Sequence, residues 1–384
     1  MMRIEKVKIF RVDLPFSLEF SHSLRRRLSG PNVVVEVVAE GGSIRGYGEG
    51  APRTYVTGES QASVCRSVVS FAQERHFPWH LEDVSQVWDF IDSLPVEKVQ
   101  NSAICALETA LLDALGRSQD RYILDYFPKD FYTDTIHYGA ALPLTGRDNI
   151  LAGCRAIREM GIRKIKIKLG KDFIQNQEIL DSAWNTFGAD YDLKVDMNGA
   201  WNGDMALRHL PLFRKYRVRV AEQPFATDDS EFAEAAGLIK ASGIALMADE
   251  SACTFAEVKK LDREGSYNMV NVRLSKCGGL RRSLRIVDYL RRNQVPFQIG
   301  CHLGESGLLS AAGRVLSLLC RDAVYHDGCY DAWLLRENIT SEHVSFGWGG
   351  KAGPLQGPGL GVDTCPRKLQ SLSESASTVT ISRP

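Results

Sequence analysis

The stretch RKIKIKLG, residues 163–170, alternates charge with branched hydrocarbon: Lys164, Lys166 and Lys168 fall on one face of a strand, Ile165 and Ile167 on the other. Three ammonium groups on one face repel unless that face is solvated or meets strong negative charge. An exposed edge strand would supply the first condition. A closed barrel has no edge and requires the second.

Seven more short apolar stretches decide between these. They are TIHYGAAL, DLKVDMN, RVRVAEQP, IALMADES, YNMVNVRLS, VPFQIGCHL and a weaker AVYHD, spread from Thr135 to about residue 325 and separated by helix-length segments. Strands alternating with helices predict parallel βαβ units, and eight of them predict a closed α/β barrel of the TIM type. The polar residues at the strand ends keep the period of such a fold. From Lys168 to Asp196 is 28 residues, on to Glu222 26, to Asp249 27 and to Arg273 24. One chemically active residue per βα unit, each at a strand's C-terminal end, is how a barrel assembles a site at its mouth.

Asp196, Glu222 and Asp249 brought together there repel unless a cation lies among them. Oxygen donors without histidine or cysteine suit a hard metal such as Mg²⁺. The plainer expectation is that each acid pairs with a nearby lysine or arginine. Asn198, on the same face as Asp196, is placed to bond substrate or orient a ligand. Lys168, nearest the strand end, is the candidate general base, with the Lys166 ammonium and a nearby dication favouring its neutral amine. Lys164 lies deepest and is expected to be structural.

Composition limits the alternatives. The 384 residues are 44% hydrophobic, enough for a large core and two domains. Lys and Arg number 47, as do Asp and Glu, and this balance argues against nucleic acid or a membrane surface as a partner. Nine cysteines without a CxxC pair read as reduced thiols of a cytoplasmic protein. No apolar run is long enough to span a membrane, and the start MMRIEKVKIF lacks the apolar core of a signal peptide. Before the barrel, IEKVKIFRVDL and NVVVEVVAEGGSIRGYGEGAP read as antiparallel strands, the second bent at its Gly-Gly pair. Helical patterns follow at 59–74 and 102–115, completing an α+β unit without a catalytic motif.

The ordered set of Lys166 and Lys168, Asp196 in VDMN, Glu222 in AEQP, Asp249 in MADES and a basic residue before KCGG resembles the enolase superfamily, specifically its muconate-lactonizing-enzyme subgroup. The stretch GYGEGAPRTYVTGES resembles the capping domain of dipeptide epimerases and cycloisomerases, and GPGLGVD resembles the segment that returns to that cap. The resemblance implies a modified (β/α)7β barrel at 134–345, an N-terminal α+β capping domain at 1–133, and a C-terminal segment at 346–384 that returns to the cap and ends in a polar, loosely ordered tail. It further implies Mg²⁺, with Mn²⁺ as a substitute, held by Asp196, Glu222 and Asp249. Lys168 would remove the α-proton of a small-molecule carboxylate, Lys166 would polarise the carboxylate, and the metal would stabilise the enediolate. A homo-oligomer, often an octamer, is implied as well.

Two positions depart from the pattern. Arg273 stands where the subgroup usually has a second catalytic lysine, with Lys276 at the non-catalytic lysine of KCGG, and arginine does not deprotonate in proteins. Dipeptide epimerases carry an Asp-x-Asp pair near the eighth strand, where GCYDAW supplies only Asp331. Both departures favour chemistry on one face, syn β-elimination or cycloisomerisation, with Arg273 clamping a carboxylate or the enediolate. An epimerase or racemase of dipeptides or amino-acid derivatives, and a non-catalytic anion binder, are the alternatives. FSHSLRRRLSG, residues 20–30, falls at the family's specificity loop, so His22 and Arg25 to Arg27 are candidate contacts for a distal anion. His302 and Glu305 in GCHLGESG are candidates to line the pocket. That stretch lacks the spacing of a GxSxG elbow or a GxGxxG nucleotide loop.

Overall fold

Lys164–Lys168 is an interior strand of an eight-stranded parallel sheet. In chain order the sheet comprises β4 (Ala140–Leu142), β5 (Lys164–Lys168), β6 (Asp192–Asp196), β7 (Val218–Glu222), β8 (Ala245–Ala248), β9 (Met269–Arg273), β10 (Phe297–Gly300) and β11 (Tyr325–His326), each paired with the next. A parallel bridge between Tyr138 and His326 brings the last strand back beside the chain leading into the first. The edge-strand alternative for the three lysines is thereby removed. The computed structural model describes residues 1–22, 25–229, 231–373 and 379–383.

Outward-facing Ile165, Ile167, Leu193 and Val195 are fully buried beneath the surrounding helices, each burial contributing roughly 1.5–3 kcal/mol. Those helices include α4 (Arg147–Glu159), α5 (Phe173–Phe187), α6 (Gly203–Lys215), α7 (Ala233–Ala241), α8 (Phe255–Glu264), α9 (Gly279–Arg292) and α10 (Gly307–Leu319). In α9, Leu280, Ser283, Ile286, Val287 and Leu290 recur at helical spacing and are buried, while its arginines lie on the other face. Inside the barrel Val220, Met247, Met269 and Tyr325 form a small separate core. Above it the interior turns polar.

The stretch TIHYGAAL is not one strand. Ile136–His137 pairs with Lys351–Ala352, and only Ala140–Leu142 joins the barrel. The break falls at Gly139, where a Cβ would lie 2.8 Å from the Lys164 carbonyl oxygen.

The N-terminal unit is an antiparallel sheet of β1 (Met2–His22), β2 (Arg25–Ala39) and β3 (Ile44–Gly50), covered by α1 (Gln61–Ala72), α2 (Val84–Ser93) and α3 (Asn101–Ser118). The glycines of GYGEG alternate for a packing reason. A Cβ at Gly46, Gly48 or Gly50 would come within 2.2–2.3 Å of the α3 backbone. Residues 20–22 and 25–30, expected as a loop, instead extend β1 and β2 as paired strands, Phe20 pairing with Arg27 and His22 with Arg25 after an irregularity beyond Pro15. Of the tail expected to be loosely ordered, residues 374–378 and 384 lie outside the described residues, and 379–382 form a strand. Val379–Ser382 pairs antiparallel with β1 from Lys6 to Ile9, its β-branched residues adding a strand to that edge. Gly359 returns to the cap by accepting from the Ile123 amide and donating to the Arg121 carbonyl, and Leu360 donates to Asp113.

Candidate active site

Strand register sets the acids side by side at the barrel mouth. Lys168 pairs with Asp196 and Asp196 with Glu222, while Met247 pairs with Glu222, so that Asp249 follows two residues later on the same face. All three acids are fully buried. Lys168 Nζ donates to Asp196 Oδ2 at 2.7 Å and to Asn198 Oδ1 at 2.8 Å. Asn198 sits at φ +50°, a conformation asparagine tolerates, which turns its amide toward the lysine. Lys166 Nζ lies 3.2 Å from Glu222 Oε2 and 2.9 Å from Asp327 Oδ2. Arg273 reaches Glu222 Oε1 at 3.3 Å and bonds Asp249 Oδ2. Lys276 Nζ lies 3.0 Å from Asp249 Oδ1 and 2.6 Å from the Asn271 carbonyl.

Lys166 and Arg273 are fixed charges. Burial favours a neutral Lys166, but Asp327, Glu222 and Asp196 outweigh it and hold its ammonium well above the ordinary lysine range. Burial is outweighed at Arg273 in the same way, by Asp249 and Glu222. Asp327 is held well below the usual carboxylate range, because Lys166 and Lys194 overcome its burial. Glu250, whose Oε1 accepts from Asn198 at 3.2 Å, is pushed up to about 8 by burial and by Asp249.

The donor atoms suit Mg²⁺, but their arrangement does not. Asp196 Oδ1 accepts from the Asn198 amide and Oδ2 from Lys168; both oxygens of Asp249 face cations, and Glu222 Oε1 accepts from Asn271 and Arg273. Glu222 Oε2 accepts no hydrogen bond but has the Lys166 ammonium 3.2 Å away. Among the described residues no group of three or more His, Cys, Asp or Glu is placed to hold a metal ion. The plainer expectation, each acid paired with a neighbouring cation, is the arrangement present.

A cavity of about 720 Å³ opens over these charges, with Lys166, Lys168, Asn198, Arg273, His302 and Asp327 in its lining. Leu142, Leu144, Trp333 and Leu334 form an apolar wall, and Glu19 and Tyr55 reach in from the cap. His302 is buried, its Nδ1 has no hydrogen-bond partner, and burial together with Arg273 and Arg53 keeps its pKa well below the ordinary histidine value. Glu305 lies behind it, accepting from the His302 amide at 2.5 Å, and burial pushes its pKa up to about 8. Lys164 is structural, donating to the Val324 carbonyl at 2.7 Å. Asp331 is buried at the start of α11 (Asp331–Leu334), where its Oδ2 accepts from Asn338 at 2.7 Å and Val344 at 3.2 Å; it fastens a loop and does not line the cavity. The side chains of His22 and Arg25 lie outside the described residues. Arg27 lies over the Tyr55 ring, 5.3 Å from its centroid.

Asp327, Lys194 and Gln298 escaped the sequence reading. Lys194, buried on the same face as Asp196, bonds Gln298 Oε1 and sits 3.0 Å from Asp327 Oδ1. The signal was present, since Asp327 directly follows the eighth strand, 54 residues after Arg273, two barrel periods on.

Among the described residues no helix is long and apolar enough to cross a membrane. The nine cysteines are free thiols. The chain is 24% identical to the hydrophobic dipeptide epimerase of Enterococcus faecalis over 98% of each chain. Its fold matches the N-succinyl Arg/Lys racemase of Bacillus cereus with a TM-score of 0.85 at 20% identity, covering 99% of this chain and 100% of that one. It matches a muconate lactonizing enzyme of Pseudomonas fluorescens, complexed with muconolactone, with a TM-score of 0.84 at 20% identity over 97% and 99%. The family described as Enolase C-terminal domain-like matches residues 149–368, more than half of the chain. Strand order, strand-end residues and this match agree: the chain belongs to the enolase superfamily.

Proposed function

We propose that this enolase-superfamily chain is an isomerase that removes the α-proton of a small amino-acid-derived carboxylate, a dipeptide or an N-acyl amino acid. The observation that carries the reading is that Lys168 and Arg273 line one cavity from β5 and β9, strands four apart in an order of eight and therefore opposite one another. The α C–H bond breaks toward Lys168 Nζ, and its electron pair passes into the substrate carboxylate. The fixed charges of Lys166 and Arg273 stabilise the resulting enediolate. Leu142, Leu144 and Trp333 take an apolar substituent. Epimerisation is the reaction the relatives' names support, so this reading replaces one-face lyase or cycloisomerase chemistry as the first choice. It needs a proton donor on the Arg273 side, and His302, which lines the cavity, is the candidate; to donate there it must first take up a proton, against the burial and the Arg273 and Arg53 charges that lower its pKa.

A second reading keeps chemistry on one face. Arg273, ion-paired to Glu222 and Asp249, cannot carry a proton, and this favours syn elimination or cycloisomerisation.

NMR in heavy water distinguishes the two, using L-Ala-L-Glu, L-Leu-L-Tyr, N-succinyl-L-arginine and cis,cis-muconate, with and without Mg²⁺. Epimerisation gives α-deuterated product of inverted configuration, and His302→Asn then leaves exchange with retention. One-face chemistry gives retention, elimination or lactone from the start. Lys168→Ala is expected to lower exchange at least a thousandfold. Full exchange in that variant removes Lys168 as the base, and no exchange of any compound by the wild type overturns the reading.

A further inference from the structure

The acid ring at the barrel mouth already carries its own countercharge. Lys168 faces Asp196, Lys166 faces Glu222, Lys276 faces Asp249, and the Arg273 guanidinium lies against both Glu222 and Asp249. Four basic side chains thus contact three fully buried carboxylates at the floor of the cavity. Arg273 is only 8% exposed, and its Nη2 occupies the gap between two of the three acids that the sequence assigns to a metal. Mg²⁺ requires near-octahedral oxygens at about 2.0–2.1 Å. Glu222 and Asp249 cannot offer such a set while one guanidinium nitrogen sits between them. Arginine is the side chain suited to this bridging, because its planar fork reaches two carboxylates at once and it stays charged when buried.

We propose that the Arg273 guanidinium is the resident cation of this site and that it competes directly with a divalent ion for Glu222 and Asp249. Divalent binding requires the guanidinium to leave the two acids, and metal affinity is lower in this chain than its set of carboxylates implies. A lysine at 273 reaches one acid at a time and competes less; an uncharged side chain does not compete. The claim concerns binding alone and stands whether or not the proposed isomerase activity is found.

The test is calorimetric titration of the full chain with MgCl₂ and, separately, MnCl₂, on the wild type, Arg273→Lys and Arg273→Met, with Asp196→Asn as a control lacking one acid. Affinity is expected to rise in the order Arg, Lys, Met, with Kd at least tenfold lower in Arg273→Met than in the wild type. Thermal unfolding gives a second measure. Mg²⁺ at 10 mM is expected to raise the midpoint of Arg273→Met by several degrees and to leave the wild type unmoved. Should Arg273→Met fold poorly, Arg273→Lys retains a positive charge and carries the comparison. Equal affinities in the wild type and both variants, tighter binding by the wild type, or no binding by any of them would each overturn the proposal.

Discussion

Asp327 holds two buried ammonium groups, Lys166 at 2.9 Å and Lys194 at 3.0 Å, inside a barrel whose next layer down is hydrocarbon. Removing its charge takes the acid partner from Lys194 and leaves Lys166 only Glu222, in a medium that penalises isolated charge. Asp327→Asn is expected to cost about 3–5 kcal/mol by urea denaturation. The double variant Asp327→Leu with Lys194→Met should lose less than the sum of its single changes, because it removes the charge together with a partner. Additive losses would show that the two groups do not interact. At this scale the sequence displays positions but not pairings. Strand-end spacing located Lys168, Asp196, Glu222, Asp249 and Arg273, and would have located Asp327. Which cation meets which acid depends on side-chain reach across the barrel interior, and no period in the sequence encodes that. The parity of Lys194 with Asp196 was legible; its bond to Gln298, 104 residues on, was not.

The first turns of several helices are satisfied by buried glutamates from distant parts of the chain. Glu108 of α3 accepts from the amides of Leu280 and Arg281 at 2.5 and 2.9 Å, at the start of α9. Glu49 of β3 accepts from Ser306 and Leu309 at the start of α10, and Glu59 from Ser102 and Ala103 at the start of α3. These carboxylates fill the donors that a helix start leaves open and lie at the positive end of its dipole. The glycine pair of KCGG follows from this arrangement. Gly279 sits at φ +90°, and a Cβ there would lie 1.9 Å from Glu108 Oε2. Glu108→Ala is expected to destabilise by about 1–2 kcal/mol. It should also speed hydrogen exchange at the Leu280 and Arg281 amides relative to the rest of α9, and unchanged exchange there would refute the capping role. Helices α1 and α3 were legible from apolar spacing. Their long-range caps were not, since a lone glutamate in a strand or helix looks like any other.

Across the whole molecule, buried acids set the response to pH. Burial raises Glu108 to about 7, and Glu305 and Glu250 to about 8, from an ordinary glutamate value of 4.5. Each keeps its proton in the folded state at pH values where the unfolded chain has lost it. Their contribution is therefore fully present below about pH 4.5 and is lost as pH rises through 7 to 8. Asp327, held low, works the other way at acid pH, its contribution lost as pH falls below its ordinary range. Urea midpoints are expected to fall between pH 5 and pH 8, and Glu305→Gln should flatten that slope; a rise over the same interval would contradict the assignment. At this scale the barrel was legible because eight strands repeat one period. The extension of β1 and β2 over residues 20–22 and 25–30 and the strand at Val379–Ser382 were not, because each is held by pairing and carries no repeat of its own. The reach of Glu49 and Glu108 into the barrel has a practical consequence for protein engineering. A chimera that joined this barrel to a foreign N-terminal half would leave the sixth and seventh βα units with bare positive poles. Only grafts that import glutamates matching both sites should yield soluble hybrids, so the transferable module is the first sheet and its long helix together with those two units.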